Sequence, residues 1–239
     1  LKMGAYGLIR VSSILPAAVS ELQYLLMSLA LFGLIYGGLL AWRQSDLKSM
    51  IAYSSVSHMG IVLFGISTLN TTGMTGAVVQ MIAHGLVAGT LFLLIGLLYQ
   101  RTHTRNINDY RSLTRVAPRF TLFTTIAFVA AVGIPGTAGF IAEFHAIVGG
   151  FQSWGWITAL LSLGVIISAA YAIRTIGILF TGPSSSRMAQ VKDLNFSESI
   201  AAGMLVLLIL WIGLYPIPTL ELIGNSVQST ITAAVGGVR

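Results

Sequence analysis

Apolar runs of about twenty residues recur along this chain, separated by short polar loops. That spacing predicts helices that cross a membrane, because a span needs about twenty mostly apolar residues. The expected spans run from about Leu22 to Trp42, Leu47 to Ser67, Met74 to Tyr99, Trp156 to Phe180 and Ile200 to Tyr215, with an extended run from about Phe120 to Gly150. Leu1 to about Ile14 reads as the tail of one further span. Pro216 and Pro218 close the last run, and residues 217–239 read as a mildly amphipathic tail with no further assignment. The expected fold class is all-α: a polytopic transmembrane helix bundle of six full spans and one partial span.

The run from Phe120 to Gly150 departs from this pattern. A straight helix of roughly thirty residues is about 45 Å long, against a hydrocarbon core of about 30 Å. Near its middle stands Gly133-Ile134-Pro135-Gly136, and Glu143 follows shortly after. Proline removes a backbone donor and clashes with the preceding turn, so the helix is expected to open near 133–137. Open backbone at membrane depth survives only where protein buries it or where it lines a wet cavity. A broken helix with a carboxylate beside the break therefore points to an ion or proton path.

Composition narrows the class. Of 239 residues, 55% are hydrophobic and 8% charged, which with a mean hydropathy of +0.86 excludes a water-soluble domain. With no Cys, the chain can hold no iron–sulfur cluster, thiolate metal site or disulfide. The chain opens on Leu1 and its first run reads as the middle of a helix, so a fragment of a longer subunit is expected. The net charge of +6 raises nucleic acid as a partner, and the placement of the charges argues against it. Arg43 and Lys48, then Arg101, Arg105, Arg111, Arg115 and Arg119, then Arg187 and Lys192 fall in alternate loops, and the loops between them hold no Lys or Arg. The positive-inside rule places the basic loops on the cytoplasmic, matrix or stromal side. Arg10 is a small exception.

Five ionisable groups lie inside apolar runs: Lys2, His58, His84, Glu143 and His145. A carboxylate in hydrocarbon must be paired, protonated or hydrated, so Glu143 is the leading functional candidate. Gln80 and His84 are i,i+4 and share a helix face, as do Ser54 and His58. His58 and His84 both fall near mid-membrane, where a row of Lys2, His84 and Glu143 would order a chain of water. Histidine suits such a relay because it titrates near neutrality. Plainer readings apply elsewhere. The Ser54–Ser57 cluster and Gly33, Gly37, Gly38, Gly60 and Gly65 are assigned to helix packing, and Arg174 to snorkelling near a span end. Trp42, Tyr99, Trp154, Trp156 and Tyr215 fit an interface belt. No nucleotide-binding glycine fingerprint, His-x-x-x-His pair or nucleophile elbow is present, so the chain alone is not an oxidoreductase.

The segments Leu1–Arg10, Asp46-Leu47-Lys48, Ile51–Gly60, Gln80–Leu86, Arg101–Arg105 and Pro135–Phe144, in this order, closely resemble an antiporter-like membrane subunit of respiratory complex I, of the NADH–quinone oxidoreductase chain M or mitochondrial subunit 4 type. That family carries two inverted five-helix repeats, each with a broken helix. The resemblance implies that residues 1–14 end one helix, that 22–181 form the second repeat with its break near 133–137, that 199–216 form the final helix and that 217–239 are a tail. It implies proton transfer by Glu143 as the terminal exchanging carboxylate and Lys2 as the bridging lysine. His84 would be a relay on another broken helix near Gly85, and His58 a further group on the axis. Glu143, where the sister chain L type has Lys, matches chain M. His145 maps to no family role and is treated as structural. The first repeat is absent. Partners implied are the missing N-terminal half, sister antiporter-like subunits, other membrane-arm subunits and lipids, with no nucleic acid. No cofactor is expected in this chain; FMN, iron–sulfur clusters and quinone would belong to partner subunits. The expected location is an energy-transducing membrane: bacterial plasma membrane, mitochondrial inner membrane or thylakoid. The alternatives are a subunit of a multisubunit Na+/H+ antiporter, and a scaffold fragment without a proton path.

Overall fold

Basic loop residues and helix caps set where each helix begins and ends. The computed structural model describes residues 2–183, 188 and 191–236; Leu1 and Arg187, and 237–239 of the expected tail, lie outside the described residues. The helices are α1 (Lys2–Ile14), α2 (Pro16–Glu21), α3 (Gln23–Arg43), α4 (Leu47–Ser67), α5 (Thr71–Thr102), α6 (Leu113–Val116), α7 (Pro118–Val132), α8 (Ala138–Trp154), α9 (Leu161–Phe180), α10 (Phe196–Leu214) and α11 (Ile217–Gly236). Asp46 caps α4 by accepting from Ser49 N at 2.8 Å, and Asn70 caps α5 by accepting from Gly73 N at 2.8 Å. His103 ends α5 in the left-handed region at φ 52°, and Asn195 with Glu198 makes a capping box on α10.

Among the described residues, five stretches are long and apolar enough to cross a membrane: Gln23–Arg43, Leu47–Ser67, Thr71–Thr102, Ala138–Phe180 and Phe196–Leu214. The stretch 138–180 is not one helix. It folds as α8, a 3-10 turn at Gly155–Leu160 and α9. With α7, which ends at the predicted break, the order of spans follows the hydropathy pattern. The residues expected to be a plain tail form the helix α11. The basic side is cross-linked by polar contacts. Arg105 Nε pairs with Asp46 at 3.2 Å, Arg101 with Glu198 at 2.5 Å, and Asp193 accepts from the backbone amides of Arg119 and Phe120 at 3.0 Å. Trp42, Tyr99, Trp156 and Tyr215 are exposed at helix ends, as an interface belt requires. Trp154 is only partly exposed and meets Tyr24 edge-on, with 5.1 Å between ring centroids.

Close helix contacts are made at small residues, because in lipid the association of spans depends on backbone approach and interhelical hydrogen bonds. A side chain at Gly37 would stand 2.8 Å from Ser57 N, and one at Gly60 would stand 2.7 Å from both Ala30 O and Leu34 N. These contacts fix α3 on α4, and Ser57 Oγ adds a bond to Leu34 O at 2.7 Å across the pair. Gly38 and Gly65 are equally enclosed, so four of the five glycines assigned to packing do pack. Gly33 does not: a Cβ there meets nothing within 4 Å, because it lies on the open face of α3. The α5–α8 pair uses Gly76 against the backbone at His145–Ala146, Gly149 against Gly73, and Asn70 Nδ2 donating to Gly149 O at 2.7 Å. Gly60→Ala is expected to destabilise the bundle by about 1–3 kcal/mol through overpacking. Gly33→Ala is expected to be neutral or stabilising by up to about 1 kcal/mol. Thermal unfolding in detergent of the two variants side by side checks the contrast.

Candidate functional site

The broken segment forms as its residues dictate. Helix α7 ends at Val132, with Gly133 at φ 77° as its left-handed cap; the chain turns through Pro135 and through Gly136 at φ 93°, and α8 starts at Ala138. Positive φ at Gly133 and Gly136 is where glycine is favoured, since a Cβ would be strained in either. Protein covers the opened backbone. A Cβ on Gly213 of α10 would run into Gly136 O and the Thr137 backbone, so α10 lies directly on the break. The carboxyl-terminal end of α7 and the amino-terminal end of α8 meet there, bringing partial charges of opposite sign together at membrane depth.

Glu143 points back to this junction. Only 7% exposed, it puts its carboxyl against Gly133, where an added Cβ would stand 2.6 Å from Oε2. Oε1 faces Nδ1 of His58 at 3.7 Å, in ion-pair range but beyond a hydrogen bond. His58 is 4% exposed, with Gln80 Nε2 at 3.5 Å from the same Nδ1 and the His84 ring at 5.1 Å between centroids. Helices α4, α5 and α8 thus bring together His58, Gln80, His84 and Glu143. With Ala83, Val87, Ala130, Ala131 and Gly139 they line a cavity of about 10 Å³, room for about one water. His58 Nε2 and Gln80 Oε1 are buried without a hydrogen-bond partner among the described residues. Unpaired polar atoms of this kind cost about 1–3 kcal/mol each, a cost that a single bound water would offset.

The sequence candidates fall in different places. Glu143, His58 and His84 share the cavity. Lys2 is adjacent: partly buried on α1, it passes Gly85, where a Cβ would stand 3.5 Å from its Cε and 3.6 Å from its Nζ, and its charge reaches His84. The expectation that His84 lies on a broken helix is corrected, because α5 runs unbroken from Thr71 to Thr102. Gly85 serves there as a seat for the Lys2 chain and not as a break. His145 is not among the residues that line the cavity, and its Nδ1 bonds its own helix at Ile141 O, 2.8 Å away. Ser55 Oγ bonds Ile51 O at 3.0 Å within its helix, consistent with packing. Arg174 Nη1 donates to Trp42 O at 2.5 Å near the span end. Gln80 belongs to the site and was visible only as a helix-face neighbour of His84. Among the described residues no group of three or more His, Asp and Glu is arranged to hold a metal ion.

Comparison with known proteins agrees with this architecture. The profile of a family described as NADH:quinone oxidoreductase/Mrp antiporter, transmembrane, matches residues 1–168. The chain is 38% identical to NADH-quinone oxidoreductase subunit M of Rhodobacter capsulatus over 97% of its own length and 46% of that protein. It superposes on a chain of respiratory complex I from Thermus thermophilus with a TM-score of 0.91 at 34% identity, covering 98% of itself and 50% of that chain. A chain of the Mrp complex from a Dietzia species shares the fold, with a TM-score of 0.88 at 19% identity. The chain spans about half the length of the curated relatives it matches.

Gly133→Ala tests how the break holds the acid. A Cβ at φ 77° costs about 1–2 kcal/mol and displaces the Glu143 carboxyl from its seat. The expected outcome is a shift of the Glu143 carboxyl stretching band, assigned by difference infrared spectra against Glu143→Gln, with the helix content retained.

Proposed function

The chain belongs to the NADH:quinone oxidoreductase/Mrp antiporter transmembrane family, and from that premise we propose that it carries a proton-transfer half-path of an antiporter-like subunit in the membrane arm of complex I. One observation carries this reading: the Glu143 carboxyl, His58, Gln80 and His84 line one small buried cavity beside a broken membrane helix. We further propose that residues 22–181 form one repeat of that fold, 199–216 its final helix and Lys2 the link to the preceding half. FMN, iron–sulfur clusters and quinone belong to partner subunits, and sister antiporter-like subunits and lipids flank this one.

The proposed transfer follows the geometry. A change of charge on the Lys2 side alters the protonation of His84, whose ring faces His58, and His58 in turn faces the carboxyl of Glu143. Two unit charges 4 Å apart interact by about 4 kcal/mol at an effective dielectric constant of about 20, enough to shift a protonation equilibrium about a thousandfold. Quinone reduction elsewhere in the complex supplies the initial charge, and Glu143 passes its proton to the outer aqueous side. The Na+/H+ antiporter alternative shares the same family, and its solved relative is alike in fold at 19% identity. The complex I reading is supported by relatives twice as similar in sequence.

Glu143→Gln in the full-length subunit keeps size and hydrogen-bonding capacity but removes the exchangeable proton. It is expected to lower proton pumping and coupled quinone reduction by roughly tenfold or more, with normal assembly. Pumping by membrane vesicles at wild-type rate would sink the reading. Loss of assembly on deleting spans, with Lys2→Met and Glu143→Gln both silent, would favour a scaffold.

A further inference from the structure

Of the polar side chains that line the Glu143 cavity, Gln80 is the one that does not itself titrate. It is 2% exposed and lies on the unbroken helix α5, one turn before His84. Its Nε2 stands 3.5 Å from His58 Nδ1, and its Oε1 has no hydrogen-bond partner among the described residues. A buried glutamine kept only for packing is expected to have both ends of its amide paired. Here one end makes a long contact and the other makes none.

That long contact bears on the imidazole. An amide nitrogen only donates, so opposite it Nδ1 has to be an acceptor, and the neutral ring then carries its hydrogen on Nε2. Among the described residues His58 Nε2 has no partner that would set the tautomer from the other side. Glu143 Oε1 faces the same Nδ1 at 3.7 Å. The amide and the carboxyl therefore meet His58 at one nitrogen. The last torsion of a glutamine is broad and nearly two-fold, so half a turn exchanges its oxygen and nitrogen without moving α5. With the amide oxygen toward the ring, Nδ1 has to carry a hydrogen instead.

We propose that Gln80 is a positioning residue: the orientation of its amide sets which nitrogen of His58 carries the hydrogen, and so opens or closes proton transfer from His58 to Glu143. This rests on the reading of Glu143 as the proton-exchanging carboxylate. With the amide nitrogen toward the ring the step is closed, because Nδ1 has no hydrogen to give and His58 Nε2 has no lone pair to receive one. With the amide oxygen toward the ring the step is open. A proton bonds at His58 Nε2, the Nδ1–H bond breaks, and a new O–H bond forms on the Glu143 carboxylate, which supplies the electron pair. The pair from the broken bond stays on Nδ1. One proton has entered the ring and one has left, the ring is neutral before and after, and nothing is oxidised or reduced. The ring now carries its hydrogen on Nε2, and the amide nitrogen turns back toward Nδ1. A second proton cannot follow until ring and amide have reset, so the step passes one proton at a time.

The test compares Gln80→Met with Glu143→Gln in the full-length subunit of the assembled complex in membrane vesicles, with rates normalised to assembled complex. Gln80→Met keeps the length of the side chain and loses both amide atoms. It is expected to slow redox-driven proton pumping roughly tenfold. The second readout is the tautomer of His58, from nitrogen resonances of ring-labelled histidine, with the His58 signals identified as those lost in His58→Asn. Resting wild type is expected to carry the hydrogen on Nε2. In Gln80→Met the balance is expected to shift toward Nδ1–H, because Glu143 Oε1 is then left as the polar atom facing Nδ1. Gln80→Asn keeps the amide but draws it back by one methylene. It is expected to shift the tautomer in the same direction by less, and it serves if Gln80→Met does not assemble. Wild-type pumping in the Gln80 variants, with pumping lost in Glu143→Gln, overturns the role of Gln80 alone. Slower pumping with an unshifted His58 tautomer marks Gln80 as structural and overturns it too. Pumping retained in Glu143→Gln removes the functional reading, and this inference with it.

Discussion

The structure depends on the need to satisfy an opened backbone inside a membrane. A helix interrupted at Gly133–Thr137 exposes amides and carbonyls that hydrocarbon cannot solvate, and each left bare costs several kcal/mol. The chain meets this in two ways. Gly213 lets the backbone of α10 lie on Gly136 and Thr137, so protein takes the place of lipid. On the other side the Glu143 carboxyl folds back onto Gly133, filling the space a side chain there would occupy. The acid is thus held by the break itself, and the break is tolerated because small residues let its neighbours close over it.

From this junction the polar interior spreads in a fixed order. His58 faces Glu143, Gln80 reaches His58, the His84 ring meets His58, and Lys2 passes over Gly85 to reach His84. None of these contacts is a short, saturated hydrogen bond. A fully paired cluster would lock each proton in place. Here two buried atoms, His58 Nε2 and Gln80 Oε1, keep unmet hydrogen-bonding capacity. Burial raises the energy of charging any one member, and proximity makes each charge felt by the next.

Much of this was legible in the residues and some was not. The break was, because Gly-x-Pro-Gly in an overlong apolar run leaves a helix few alternatives. Glu143 stood out as the leading candidate, because a carboxylate in hydrocarbon must be paired, protonated or hydrated. Helical spacing put Gln80 beside His84, but which way their shared face pointed depended on how α4, α5 and α8 pack. The same limit applies to glycine: Gly33 and Gly60 look alike along the chain, and only the packing of α3 on α4 encloses one and leaves the other open. The family resemblance implied a second break near Gly85, yet a lone glycine with no proline is tolerated inside a helix, and α5 continues through it.

The glycine contacts also bear on how the proposed transfer would cross this bundle. At Gly37, Gly60 and Gly76 the spans approach so closely that no methyl group fits between them. Interfaces of that kind do not slide by small amounts without losing their contacts, since close-packed interiors resist gradual deformation. On the basic side ion pairs tie the start of α4 to the loop after α5, through Asp46 with Arg105, and α5 to α10, through Arg101 with Glu198. The parts left free to change are the soft ones in the middle: protons, side-chain amide and imidazole orientations, and water. A frame this stiff around a cluster this under-bonded favours transmission by charge over transmission by helix movement.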